Sequence, residues 1–200
     1  MKKNLLTLAT LLCSLALAAQ TKVVEFPATD ALYRLPFEKG TKVVAHSLSA
    51  VEAGKGRALN TVDFCAWSLQ TKSNSDIFAP RGGVVEEATE GTLLILHEDG
   101  LYTQLSRLES VCVAAGDRVE KGTLVGKASQ FDEQSPREVV MATFYVSPNP
   151  NHGGEALNSN YETLMHYFNP IVATRSKCKT QFTDGGSYTV KTRTWCWPWE

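Results

Sequence analysis

Residues 92–105 have the sequence Thr-Leu-Leu-Ile-Leu-His-Glu-Asp-Gly-Leu-Tyr-Thr-Gln-Leu, and this stretch decides the fold class. Two short apolar runs, 92–96 and 101–105, flank the pair Asp99-Gly100. An Asp-Gly pair between apolar runs is typical of a β-hairpin, because both residue types tolerate the positive φ angles that a two-residue turn requires. The sequence therefore predicts two antiparallel strands joined by a tight turn.

Short strand patterns continue on both sides of this hairpin. They are separated by Gly, Pro and Asp turns and cover residues 42–45, 61–67, 77–85, 111–113, 124–126 and 139–146. Many short strands at close spacing predict an all-β sandwich or barrel. No stretch before residue 150 has the pattern of a helix of any length.

The segment after residue 150 has a different pattern and predicts a small C-terminal extension. Residues 161–168 predict a short helix that ends before Pro170. Residues 180–183 and 187–190 flank Asp184-Gly185-Gly186 and predict one β-hairpin.

The N-terminus has the pattern of a secretory signal peptide. Lys2 and Lys3 precede an apolar run, 5–17, which ends in the small-x-small site Ala16-Leu17-Ala18. A membrane anchor is the alternative, but the run is shorter than the ~20 residues that span a bilayer. We therefore expect an exported protein, periplasmic or secreted, with no membrane span after cleavage.

The expected organisation has five parts: a signal peptide (1–19), N-terminal strands and a loop (20–57), a β domain (58–150), a connecting segment with the short helix (151–174) and a tryptophan-rich hairpin (175–200). A hydrophobic fraction of 43% is too high for a disordered chain. The formal net charge of −1 argues against nucleic acid as a partner, because phosphate binding needs clustered excess Lys and Arg.

Four of the 5 cysteines remain once Cys13 is removed with the signal peptide: Cys65, Cys112, Cys178 and Cys196. An even number in an exported protein predicts disulfides, with three possible pairings. We favour Cys178–Cys196, since these two face each other at the open ends of the predicted hairpin, which leaves Cys65–Cys112. A zinc site built from cysteines is disfavoured because no Cys-x-x-Cys pair occurs.

Three motifs in series carry a family resemblance. They are the apolar-Ala-Pro-x-Gly-Gly-Val-Val run at 77–85, the apolar-His-x-Asp-Gly run that contains His97, and the Gly-Asp-x-Val-x-Lys-Gly run that begins at Gly116. In this order and spacing they resemble the lysostaphin/LytM-type zinc metallopeptidases that cut peptidoglycan cross-bridges, over about residues 58–147. The resemblance implies a duplicated hybrid motif, a two-layer β structure with a groove.

The resemblance also implies a zinc ion held by two His and one Asp, with a metal-bound water and further histidines that deprotonate it. Asp63 matches the aspartate ligand. The implied histidine positions instead hold Leu59, Arg107, Met141 and Thr143. We therefore predict a degenerate member with no catalytic residue and no cofactor, in which Asp63 is the only remaining ligand position. The candidate groove residues are Asp63, His97, Arg107, Met141 and Thr143.

Two alternatives stay open for the histidines and for Asp63. An active zinc peptidase would need a rearranged site that combines Asp63 with His46, His97, His152 or His166. His97 matches a family position that does not bind the metal, so we expect it to stabilise a turn. Asp63 is expected to pair with Arg107 if both line the former site. A lipoyl-type carrier ranks last, because Lys121 does not lie at a hairpin tip.

The C-terminus contains a second candidate surface. Trp195, Trp197 and Trp199 alternate and would share one face of an extended segment. Such a face suits binding to a glycan or to a protein, although packing against the β domain is the slightly favoured role. The function expected from the sequence is that of an exported, non-catalytic LytM-like protein that binds peptidoglycan or a cell-wall hydrolase.

Overall fold

The computed structural model describes residues 32–48, 66–73, 75–148, 163–174 and 179–190, and all regular elements in these ranges are strands. The strands are β1 (Tyr33–Arg34), β2 (Lys42–Leu48), β3 (Ala66–Thr71), β4 (Asp76–Phe78), β5 (Gly83–Thr89), β6 (Thr92–Leu96), β7 (Tyr102–Ser106), β8 (Leu108–Val111), β9 (Arg118–Val119), β10 (Leu124–Gln130), β11 (Arg137–Pro148), β12 (Thr163–Tyr167), β13 (Val172–Ala173) and β14 (Gly186–Thr189). The predicted all-β class is confirmed.

The strands form two layers around one core. The main sheet has the order β14-β2-β3-β11-β7-β6-β5-β9, and β10 joins it to a smaller group in which β10 lies between β4 and β8. Fully buried side chains from both layers meet in one cluster, including Leu69 and Leu105 of the main sheet and Ile77 and Val125 of the smaller group. The layers are therefore stabilised mainly by burial of apolar surface between them.

The hairpin at residues 92–105 forms as predicted. It comprises β6 and β7, which pair antiparallel from Leu96↔Tyr102 to Thr92↔Ser106. Leu93, Ile95 and Leu105 are fully buried on its inner face. Gly100 adopts a φ of 79° in the turn, a conformation that residues with a Cβ rarely adopt.

The predicted helix at 161–168 is wrong, because residues Thr163–Tyr167 form strand β12. This strand pairs antiparallel with the last part of β11, from Phe144↔Tyr167 to Pro148↔Thr163. Aromatic contacts accompany the pairing: the rings of Phe144 and Tyr167 lie 5.2 Å apart, and those of Tyr145 and His166 stack at 4.5 Å. Backbone pairing with a long strand elsewhere in the chain overrides the local helical pattern.

The predicted C-terminal hairpin is only partly correct. The turn is present, since Gly186 N donates to Thr183 O and Gly185 adopts a φ of 69°. However, the residues after the turn form β14 and pair with β2, whereas Thr180 bridges to Val172. The two arms therefore pair with different strands and not with each other.

Several predictions fall outside the described ranges and stay predictions. They concern the signal peptide, Leu59, Asp63, His152, the three C-terminal tryptophans, and cysteines 65, 178 and 196. Cys112 is a free, exposed thiol in the structure and donates to Leu124 O over 3.5 Å. Within the described part of the chain, no helix is long and apolar enough to cross a membrane.

Candidate functional site

Met141 and Thr143 lie on the buried side of β11, which differs from the groove positions predicted for them. Met141 is 1% exposed and belongs to the core cluster between the layers. Thr143 is also buried, and its hydroxyl donates to the carbonyl oxygen of Phe168 over 2.5 Å. Because side chains alternate along a strand, the opposite face of β11 carries Glu138, Val140 and Ala142.

An open groove of about 700 Å³ lies beside Glu138, at the start of β11. The register places Glu138 opposite both Gln70 of β3 and Ser129 of β10. The residues that line it are Gln70, Arg107, Ser129, Gln130, Phe131, Ser135, Pro136 and Glu138. Of the predicted groove residues that the structure describes, only Arg107 lines this space.

A hydrogen-bonded network covers the floor of the groove. Arg107 Nη1 lies 2.8 Å from Glu138 Oε1, and the Ser68 hydroxyl donates to the same oxygen. The Gln70 amide donates to the Ser68 hydroxyl over 3.3 Å. The carboxylate thus accepts hydrogen bonds from one cationic and one neutral donor.

Arg107 is held in a backbone conformation that is uncommon for its residue type. It connects β7 to β8 with a φ of 60°, where a side chain with a Cβ costs about 1–2 kcal/mol. Its carbonyl oxygen accepts a hydrogen bond from Ser129 N at 3.1 Å, so the backbone is tied to β10 while the guanidinium reaches β11. Both contacts direct the guanidinium toward Glu138.

The groove residues do not fit a catalytic zinc ion. Zinc sites of this type need imidazole and carboxylate donors, and β11 contains no histidine on either of its faces. The carboxylate of Glu138 is occupied by Arg107, and a guanidinium beside a divalent cation would repel it. Among the residues that the structure describes, no three His, Cys, Asp or Glu side chains converge on a common point.

The other described histidines make contacts away from this groove. His46 of β2 lies 3.9 Å from the Asp184 carboxylate, and His166 of β12 stacks on Tyr145. Neither lines the groove. His46, His97 and His166 therefore do not line this groove, whereas Asp63 and His152, on which the rearranged zinc site also depends, lie outside the described residues.

His97 is buried at the start of the β6–β7 turn, and its ring connects Gly82, just before β5, to Thr103 of β7. Its Nδ1–H donates to Gly82 O over 2.8 Å, which leaves Nε2 to accept a hydrogen bond from the Thr103 hydroxyl over 2.7 Å. Burial lowers the pKa of His97 to about 4, and the nearby Arg81 guanidinium contributes in the same direction. The neutral imidazole thus stabilises the turn, as expected from the sequence.

The comparisons with known proteins bear on this geometry. The model of peptidase family M23 matches residues 65–149. The resemblance to LytM-type peptidases is thereby confirmed. The matched residues, 65–149, contain the groove, the network and the β6–β7 hairpin. No curated protein sequence matches the chain.

Three solved structures are similar to the chain at low identity. The M23 metalloprotease pseudoalterin, from the deep sea, is 14% identical, covers 76% of this chain and 96% of its own, and has a TM-score of 0.44. A chain of the SpoIIQ–SpoIIIAH pore-forming complex is 19% identical, with 57% and 85% covered and a TM-score of 0.41. A chain of a second SpoIIIAH–SpoIIQ complex is 22% identical, with 60% and 90% covered and a TM-score of 0.35. The family match rests on residues 65–149 and not on these structures.

Sequence reasoning identified only Arg107 among the groove-lining residues and also missed Ser68 of the network. The lining residues that it missed are Gln70, Ser129, Gln130, Phe131, Ser135, Pro136 and Glu138. The run Glu138-Val139-Val140-Met141 contained a signal, because Glu138 is the only charged residue in it. A charged residue at the start of a largely apolar strand marks a position where the strand meets polar surroundings. The sequence alone did not reveal which strands would pair with β11 beside Glu138.

Replacement of Glu138 by alanine is expected to lower the free energy of unfolding by about 1 kcal/mol. The change removes an ion pair and leaves Ser68, which is 2% exposed, without its acceptor. Urea unfolding at neutral pH measures the effect, and Glu109→Ala, at an exposed acid on β8, is the matched control. Equal losses for the two variants would contradict a structural role for the network.

Proposed function

We propose that this protein is an exported, non-catalytic M23-type protein of the cell envelope that binds peptidoglycan through the groove beside Arg107 and Glu138. The observation that carries the proposal is the network of Arg107, Glu138, Ser68 and Gln70, which lies at the floor of the groove where β11 pairs with β3. This network gives the groove hydrogen-bonding capacity suited to a polar ligand and lacks the chemistry of a hydrolase.

The acid–base chemistry of the network supports a binding role. Hydrolysis by the family route needs a metal-bound water and a neutral base to accept its proton. Arginine stays protonated at all accessible pH values and cannot accept a proton. Glu138 is already a partner of Arg107 and Ser68, so neither charged group of the groove is suited to deprotonate water.

Two other functions remain as outcomes of the test. A cell-wall hydrolase is the alternative partner, in which case the protein would act on the cell wall through another enzyme. An active zinc peptidase would need Asp63 and histidines arranged differently from those described above.

The purified protein is expected to contain no stoichiometric zinc, to leave peptidoglycan and glycine-rich peptides uncut, and to cosediment with purified sacculi. Metal analysis by mass spectrometry, product analysis after incubation with added zinc, and a sedimentation assay measure the three properties. Stoichiometric zinc together with cleavage would overturn the proposal. Absence of sacculus binding, combined with capture of a purified hydrolase, would favour the alternative partner.

A further inference from the structure

The loop between β10 and β11, residues 131–136, presents an aromatic side chain to solvent beside the groove. Phe131 is 96% exposed, which is the largest exposure among the large hydrophobic residues that the structure describes. The same ring forms part of the groove wall. An aromatic ring that is exposed beside a polar cavity is available to pack against the apolar face of a ligand.

Hydrogen bonds within the loop order the backbone on either side of Phe131. The Asp132 carboxylate accepts from the backbone N–H groups of Gln134 and Ser135, at 2.9 and 2.7 Å. The Gln130 side-chain amide donates to Ser135 O over 2.8 Å and closes the loop at its base. The loop backbone is therefore ordered before a ligand binds, which limits the conformational entropy that is lost on binding.

The groove is close to neutral and rich in hydrogen-bonding groups. Arg107 and Glu138 are the two charged members of its lining, and they form an ion pair with each other. The remaining polar lining consists of amides and hydroxyls, including Gln70 and Ser129, which can both donate and accept hydrogen bonds. An internally neutralised site does not favour a ligand with a net charge, whereas it suits a neutral ligand that carries many hydroxyl groups.

A sugar ring has the matching chemistry. One face of a pyranose is made of C–H groups that pack on an aromatic ring, and its rim carries hydroxyls that bind planar amide, carboxylate and guanidinium groups. The groove volume of about 700 Å³ lies within the range of about 300–1,000 Å³ found for small-ligand sites, so it can hold a short oligosaccharide.

We infer that the groove binds the glycan strand of peptidoglycan, with a sugar ring packed on Phe131 and its hydroxyls bound by Gln70, Arg107 and Glu138. The inference rests on the proposed function and names the part of the polymer that is recognised. Peptide stems, which carry ionised carboxylates, are the competing ligand and would leave the aromatic ring without a specific role.

Binding of the full chain to three probes tests the inference: intact sacculi, glycan strands freed of peptides, and soluble stem peptides. We expect binding to sacculi and to glycan strands, and a reduction of about tenfold or more for Phe131→Ala with both probes. Gln70→Ala is expected to weaken binding to the same probes. Leu124→Ala, which truncates a side chain that is 45% exposed on β10 and outside the groove, is the matched control and should bind like the wild type.

The outcomes separate the inference from the function on which it rests. Binding to sacculi and stem peptides without binding to glycan strands would overturn the inference and leave the proposed function intact. No binding to sacculi would overturn both. Unchanged glycan affinity of Phe131→Ala, with an unchanged melting temperature, would show that the ring does not contact the ligand and would also overturn the inference.

Discussion

Replacement of Gly83 by alanine is expected to lower the free energy of unfolding by about 3 kcal/mol, as overpacking of a tight site does. Gly83 begins β5 and lies between β6 and β9. A Cβ added there would lie 2.2 Å from the carbonyl oxygen of Leu96 and 2.8 Å from Ile95 Cγ2. The closest atom belongs to the backbone of β6, so relief requires a shift of the strand and not only a rotation of a side chain.

The neighbouring glycine provides the control for this prediction. A Cβ on Gly82 would meet Val119 O at 3.3 Å, a contact that a small adjustment can relieve. We expect Gly82→Ala to cost less than about 1 kcal/mol, whereas Gly83→Ala should lower the melting temperature by about 6–12 °C. Thermal unfolding followed by circular dichroism measures both variants. Similar melting temperatures for the two would show that the close approach of β5 and β6 does not constrain the fold.

Features that depend on local chemistry were predictable from the sequence. The β6–β7 hairpin follows from Asp99-Gly100 and two apolar runs, because the turn type is determined by the residues in the turn itself. The turn at Asp184-Gly185 formed for the same reason. In both cases the deciding residues are within a few positions of each other, so no knowledge of the remaining chain is needed.

Features that depend on distant pairing were not predictable in the same way. Residues Thr163–Tyr167 form a strand because β11 is 12 residues long and offers backbone groups to which β12 pairs. The residues after Gly185 pair with β2, which lies far away in the sequence. Local patterns at these sites were compatible with other structures, and the partner strand decided the outcome.

In the candidate site, too, the environment of a single side chain depends on distant parts of the chain and not only on its local sequence. The family resemblance placed Met141 and Thr143 at groove positions, whereas the sheet register directs both into buried positions. A motif match identifies the strand on which a residue lies, whereas the packing of neighbouring elements decides whether its side chain is buried. The same resemblance pointed to Arg107, which lies between β7 and β8 and lines the groove.

Acidification from pH 8 to pH 4 is expected to destabilise the fold by about 3 kcal/mol through His97 alone. Burial lowers the pKa of His97 to about 4 in the folded protein, whereas an unfolded histidine has a pKa of about 6.5. Between these values the unfolded chain binds one more proton than the folded chain. Stability is therefore fully present above pH 6.5 and decreases by about 1.4 kcal/mol per pH unit as the pH falls toward 4.

The structural cause lies in the surroundings of the imidazole. His97 is 3% exposed, and in the neutral form its Nε2 accepts a hydrogen bond from the Thr103 hydroxyl. Protonation would place a positive charge in this site near the Arg81 guanidinium. Arg81 is paired with Asp99 at 2.8 Å, and the Asp99 carboxylate opposes only part of the effect of burial on the pKa of His97.

His97→Asn separates this contribution from that of other titrating groups. Asparagine can retain a donor toward Gly82 O but does not titrate, so the variant should be less stable at pH 8 and lose about 3 kcal/mol less than the wild type between pH 8 and pH 4. Urea unfolding of both proteins across this range provides the difference, and an NMR titration of His97 reports its pKa directly. Parallel pH profiles for the two proteins would mean that His97 titrates alike in the folded and unfolded states. The buried imidazole would then contribute nothing to the pH dependence of stability.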